Sequence, residues 1–229
     1  MRVACIAAVL AALGVTVPAV AKAQARESQL WTGLFLTAND PTTKNESTGL
    51  SAWLDVQARR APAGTTALFR PALGYRLSSR VSVWAGYAWV GAYADAADAK
   101  DVIEHRAWQQ VTVAGAVGQM TYQLRPRLEQ RFRTGESTAV RARLLARANV
   151  AFWYGSPLGL ASWDEAFFAL GDTSWGAPGG FDQNRLFLGL GYTQGAMRIE
   201  VGYIGTTVRR ADESLLHQHN PTIWAFFAY

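Results

Sequence analysis

The sequence predicts an all-β fold: an antiparallel up-and-down transmembrane β-barrel of about twelve strands, with ten as the alternative, around a polar, arginine-rich lumen. Three observations predict it. The chain opens on an export leader. The remainder alternates apolar and polar residues with period 2, and arginine dominates the polar parity. Aromatic residues gather near the ends of these runs and occupy the last position, Tyr229.

The leader is residues 1–23. Arg2 supplies a positive start, an alanine-rich apolar core runs from Val3 to Val17, and small residues at Ala21-Lys22-Ala23 precede a cut before Gln24. That is the layout of a secretory signal peptide. The apolar core is shorter than the roughly 20 residues a membrane-spanning helix needs. Residues 24–229 are then the barrel domain. Cys5, the single cysteine, lies in the leader, so the exported domain has no thiol for disulfides, catalysis or metal binding. Losing Arg2 and Lys22 leaves twenty cations against seventeen acids, a net charge of +3, and eighteen of those cations are arginine. Nucleic-acid arms carry like charges in blocks. Here the arginines are spaced, which argues against a nucleic-acid partner.

No later stretch reaches about 18 continuous apolar residues, so strands must form the wall. Eleven runs begin near Leu30, Leu50, Ala67, Val81, Glu104, Met120, Val140, Ala166, Arg185, Met197 and Pro221. Bacterial single-chain barrels have an even strand number, hence the expectation of twelve, with one run missed or split or the N-terminal hairpin misread. In order along the chain, Leu50, Ala52, Leu54, Val56 and Ala58 alternate with Ser51, Trp53, Asp55, Gln57 and Arg59. Leu73, Tyr75 and Leu77 alternate with Gly74 and Arg76. Tyr87, Trp89 and Tyr93 mark an aromatic strand end. Glu104, Arg106, Trp108 and Gln110 share a parity opposite Val111 and Val113. From Met120 to Phe132 the even positions are mainly apolar, and the odd positions include Arg125, Arg127, Glu129 and Arg131. After a short break containing Arg133, Val140, Ala142, Leu144, Ala146, Ala148 and Val150 oppose Arg141, Arg143, Leu145, Arg147 and Asn149. Leu186, Leu188 and Leu190 alternate with Arg185 and Phe187; Ile199, Val201 and Tyr203 alternate with Arg198, Glu200 and Gly202. Ile223, Ala225, Phe227 and Tyr229 share the last face. Successive side chains on a strand point to opposite faces, whereas helical spacing would scatter these arginines around the whole circumference.

In a transmembrane barrel the apolar parity faces lipid and the polar parity faces the lumen. The expected lumen charge network is therefore Asp55, Glu104, Arg106, Arg125, Arg127, Glu129, Arg131, Arg133, Arg141, Arg143, Arg147, Arg185, Arg198 and Glu200, with Glu165 a further acid. Arginines on two paired strands would meet as like charges, which is destabilising, so the acids must interleave with them. This gives a barrel whose interior is packed by Arg–carboxylate pairs, structural in role and of unestablished activity. An anion-selective pore or anion-binding lumen is the alternative, because rings of arginine select anions and the inward acids are fewer than the inward arginines. A lipid-modifying enzyme is a further alternative. It needs a nucleophile with a base in reach, and the chain offers only His105, His217 and His219. His105 points outward on this parity. His217 and His219, just before the last strand, share a face with Ser214 and Asp212 nearby. Two histidines make a weak metal site, and no metal or cofactor is expected. The loop "GDTSWGAPGGFDQNR", Gly171 to Arg185, either caps the barrel or contacts lipopolysaccharide or calcium. The expected location is the outer membrane of a Gram-negative bacterium. The expected partners are membrane lipid and lipopolysaccharide, small anions, and the barrel-assembly machinery, which would read Phe227 and Tyr229.

Several short motifs occur in order: "LWTGLFL", "RPALGYRLS", "VWAGYAWV", "EHRAWQQ", "RLEQRFR" with "RARLLAR", "GGFDQNRLFLGLGY" and "RIEVGYI". Together they resemble a bacterial family catalogued as domain-of-unknown-function family 2490. The resemblance implies an outer-membrane barrel fold and location. It implies no activity.

Overall fold

In the computed structural model of the protein, residues 25–38, 49–175 and 178–229 are described. The leader lies outside them. Twelve strands make up the fold: β1 (Ala25–Ser28), β2 (Leu30–Ala38), β3 (Gly49–Ala61), β4 (Gly64–Arg76), β5 (Val81–Ala94), β6 (Val102–Val117), β7 (Met120–Phe132), β8 (Ala139–Ala151), β9 (Leu158–Ala169), β10 (Gly180–Gln194), β11 (Met197–Arg209) and β12 (Leu215–Ala228). From β2 to β12 every strand pairs antiparallel with its neighbour in sequence. The sheet closes where β2 meets β12, and this seam is parallel, with Trp31–Thr37 running beside Thr222–Ala228. β1 continues the line of β2 along the same edge, pairing parallel with Leu216–His219.

The twelve expected strands are therefore present, but β1 and β2 share one edge of β12. The wall is eleven strands around, and an odd number forces one parallel seam. Three strands also start well before the alternation suggests. β9 begins at Leu158 rather than Ala166, β10 at Gly180 rather than Arg185, and β12 at Leu215 rather than Pro221. Early β9 is apolar on both faces, and early β10 and β12 carry polar residues on both, which erases the period-2 signal.

The local sequence accounts for the turns. Gly118 and Gly195 adopt φ of 59° and 57°, a left-handed conformation that two-residue hairpins need and glycine adopts without strain. Pro71 and Pro126 lack an N–H to give to a ladder. The register passes from Phe69–Trp89 to Ala72–Gly86 beside Pro71, and from Gln110–Arg127 to Val113–Leu124 beside Pro126. One rim of the barrel carries the start of β2, the tight turn at 62–63 and the connections at 95–101, 133–138, 170–179 and 210–214. The other carries the turns at 77–80, 118–119 and 195–196, together with 152–157 and Tyr229. We call these the N-terminal and C-terminal rims. At the N-terminal rim Arg60 grips Asp95 through two hydrogen bonds of 2.8 and 2.6 Å. That contact holds the Asp95 carboxyl below the ordinary carboxylate range.

The two faces of the wall differ in kind. Outward positions expose large apolar side chains, among them Leu50, Leu73, Leu144, Leu188, Val201 and Ile223. Inward positions hold the charges, and they also hold two aromatic clusters. One gathers Trp31, Trp163, Phe187 and Trp224, with Phe35 and Phe226 packed against it; the other gathers Trp84 and Trp108, with Trp53 against it. The packing is close: a Cβ on Gly86 would lie 2.7 Å from that of Ala72 and collide with the Trp108 ring.

Candidate functional site

The charged lumen is built mainly by β7 and β8. Their register sets Arg127 directly opposite Arg143 and Glu129 opposite Arg141. Glu129 resolves the like-charge meeting. Its carboxylate accepts from Arg143, takes Arg141 at 2.7 Å, and lies 3.6 Å from Arg127 and 4.0 Å from Arg106. The arrangement extends in both directions as alternating charge. Arg141 reaches Asp182 at 3.0 Å, and Arg143 reaches Glu165 at 2.6 Å. Glu165 has Arg125 and Arg185 at 3.9 Å each. A chain Asp182–Arg141–Glu129–Arg143–Glu165 thus links four neighbouring strands, β7 to β10, through buried side chains on the lumen face.

Three satellite groups complete the network. Glu104 takes Arg106 at 2.5 Å, Arg131 at 2.7 Å and Arg133 at 3.0 Å; Arg133 stands just beyond the end of β7. Glu200 takes Arg198 at 2.7 Å and Arg147 at 3.2 Å. Asp55 takes Arg70 at 3.1 Å and Gln57 at 2.9 Å. Arginine faces are used as well. Arg127 lies 4.0 Å over the Trp108 ring, and Arg59 and Arg185 lie 4.1 and 5.0 Å over Trp31. Such stacking suits guanidinium, which is planar and less tightly hydrated than ammonium.

The sequence-derived residues thus separate into groups. Arg125, Arg127, Glu129, Arg141, Arg143 and Arg185 belong to the central chain, Asp55 to the Arg70 pair, and the other charged positions to the Glu104 and Glu200 groups. Phe227 sits opposite Met197 near the end of β12, and Tyr229 is exposed at the C-terminal rim. Sequence reasoning missed Arg70 and Asp182. It also missed the inward tryptophans as a chamber lining, although Trp53 stands on the polar parity where it could have been noticed.

The histidines do not form a centre. His217 and His219 lie within β12, not before it, and on its outward face. His217 contacts the Thr207 hydroxyl at 3.1 Å, and His219 contacts the Tyr203 hydroxyl. His105 is likewise outward, 2.5 Å from the Tyr87 hydroxyl. Among the described residues no group of three His, Cys, Asp or Glu is arranged to hold a metal ion. In the β9–β10 loop, Trp175 packs 4.0 Å over Arg133 and donates to the Ser137 carbonyl at 2.8 Å, which lays the loop across the N-terminal rim as a cap.

The charged layer divides the lumen into two cavities. One, of about 390 Å³, lies toward the N-terminal rim beneath Trp175 and is lined by nine arginines with Asp182 as the lining acid. The other, of about 620 Å³, reaches the C-terminal rim between the aromatic clusters. Arg70, Arg143 and Arg185 line both.

Comparison with known proteins bears on the fold and gives no activity. An uncharacterised protein of Methylorubrum extorquens is 29% identical over 168 residues, which cover 71% of this chain and 72% of that protein. No solved structure matches. The sequence profile of the family described as "protein of unknown function (DUF2490)" matches residues 28–216. With that match spanning the end of β1 through the start of β12, the chain belongs to this family of unknown function, and its fold is a closed β-barrel.

Proposed function

We propose that the protein is an outer-membrane barrel whose charged core braces the wall and closes the lumen to ion flow. The observation that carries this reading is the chain of alternating charges from Asp182 to Glu165 between the two cavities. Its neighbours Arg125, Arg127 and Arg185 extend the layer to facing strands by stacking on Trp53 and Trp31, and a layer that fills a narrow barrel in this way opposes a continuous water path. The membrane part of the reading is supported by the outer wall. Contiguous exposed apolar surface on this scale is foreign to soluble monomers, whereas lipid-facing strands require it. By the same rule the C-terminal rim, whose described turns are mostly short, faces the periplasm, and the N-terminal rim, where Trp175 packs on Arg133, faces lipopolysaccharide. Planar-bilayer recording of the refolded, inserted protein is the test. We expect no steady conductance steps; steps of constant size would overturn the closed-lumen reading.

A second reading has its own support in the nine arginines of the N-terminal cavity. Positive charge in excess of acid favours small anions there. Under this reading the same recording shows small anion-preferring steps that weaken on Arg143→Gln.

A further inference from the structure

We propose that the cavity at the C-terminal rim is a binding site for a small organic carboxylate with a flat apolar body. The inference goes beyond the closed-barrel reading, because a chamber closed at its inner end serves binding, not passage. Three independent features of the chamber define the ligand.

The first is a shortage of acceptors. Six residues that line the cavity carry a buried donor nitrogen with no hydrogen-bond partner among the protein's own groups: the indole N–H of Trp53, Trp163 and Trp224, and Nε of Arg70, Arg143 and Arg185. Arg70 and Arg143 are only 5% and 6% exposed, and Trp163 and Trp224 are 8% and 3% exposed. Buried polar groups in native proteins are nearly always bonded. These nitrogens lie within the wall, so small side-chain rotations must turn them toward a guest, and a guest that brings acceptors and few donors suits them. A carboxylate has two oxygens with about four lone-pair sites and nothing to donate.

The second is charge. Arg70, Arg125, Arg143, Arg147, Arg185 and Arg198 line the space, against Asp55 and Glu165. Both acids are already held, Asp55 by Arg70 and Gln57, and Glu165 by Arg143; Glu200 holds Arg147 and Arg198 and Glu129 holds Arg143, which leaves Arg125 and Arg185, each 3.9 Å from Glu165, as the least neutralised cations. The residual field favours an anion, placed head-first toward Arg143 and Arg185 at the inner end.

The third is the walls. Trp53 and Trp84 meet edge to face at 5.7 Å on one side. Trp224 belongs to the other cluster, with Trp31 at 6.4 Å and Phe35 at 5.5 Å from its ring. An inorganic anion gains nothing from such surfaces and stays better hydrated in water. A flat apolar body between two aromatic walls gains both burial and ring contacts. The volume of about 620 Å³ falls within the range of small-molecule sites. Thr37, Gly195, Ala196 and Ala228 at the rim mark the mouth.

The experiment uses the full exported chain refolded into phosphatidylcholine vesicles, with 4-bromobenzoate as probe. Its bromine quenches tryptophan fluorescence on contact. Saturable quenching is expected for 4-bromobenzoate, and at least tenfold weaker quenching for 4-bromobenzamide and 4-bromobenzylammonium. Arg185→Gln should weaken the carboxylate at least tenfold, and Ala196→Trp, at the mouth and away from the charge network, should weaken it as well. Trp163→Phe removes one N–H at little cost in volume and should weaken it by a smaller factor. Equal or non-saturating quenching by all three probes would overturn the proposal, and so would unchanged binding in Ala196→Trp. Displacement by inorganic phosphate at equal concentration would overturn the apolar part of it. Failure of the chain to insert would count against the membrane reading; absence of binding in inserted protein would count against this one.

Discussion

At the scale of single residues, Glu129 has more depending on it than any other side chain in the lumen. Its carboxylate stands among Arg106, Arg127, Arg141 and Arg143. Removing one partner of a buried ion pair costs about 3–5 kcal/mol, because the remaining charge is stranded. Glu129→Gln keeps the size and loses the charge. It should lower barrel stability by about that amount, read as a reduced denaturant midpoint in equilibrium unfolding from vesicles. Glu200→Gln strips a smaller group and should cost less. The alternation of Arg125, Arg127, Arg131, Arg141, Arg143 and Arg147 was plain in the sequence, because charge at every second position marks a strand with one polar face. The pairings were not, since Asp182 and Arg141 lie on strands far apart in the chain. Nor was the chamber, because a tryptophan on the polar parity looks the same whether it fills a core or lines a cavity.

At the scale of elements, the β2–β12 seam sets this barrel apart from the even-stranded kind. Thr32 lies beside Ile223 and Leu36 beside Phe227. The parallel register requires that Thr32→Cys/Ile223→Cys and Leu36→Cys/Phe227→Cys both crosslink on mild oxidation. An antiparallel seam could satisfy one pair but not both. Cys5 is the single cysteine of the sequence, so residues 24–229 have none and, made as such, give a clean readout on non-reducing gels. Strand boundaries were legible where one face is apolar and the other polar, as in β3, β7 and β8. They were lost in early β9, where Gly159, Ala161 and Trp163 give the inward face no polar pattern against outward Leu158 and Leu160. They were lost again in early β12, where His217 and His219 oppose Gln218 and Asn220. In those segments the side chains satisfy one another across the strands, as Asn184 does for Asp164 at 3.0 Å, so period 2 in hydrophobicity is not required for pairing.

At the scale of the whole molecule, the outer surface decides the solvent. Leu144 is 45% exposed on the outward face of β8. A lipid-facing arginine near the bilayer midplane costs about 2–4 kcal/mol in a barrel wall. Leu144→Arg should therefore lower stability by about that amount in vesicles, measured by the same unfolding titration. In a protein whose outer wall met water, this exposed substitution would be close to neutral. The closure of the sheet also bears on how the barrel forms. Each antiparallel pair from β2 to β12 joins neighbours in sequence and can zip from its own turn. The seam joins residues 31–37 to residues 222–228, across nearly the whole described chain. The entropy of closing so long a loop must be met before that contact gives anything back. The seam is thus the slow, late step of assembly, and the hairpins are the fast, early ones. It is also the place where the finished ring opens first under force or denaturant.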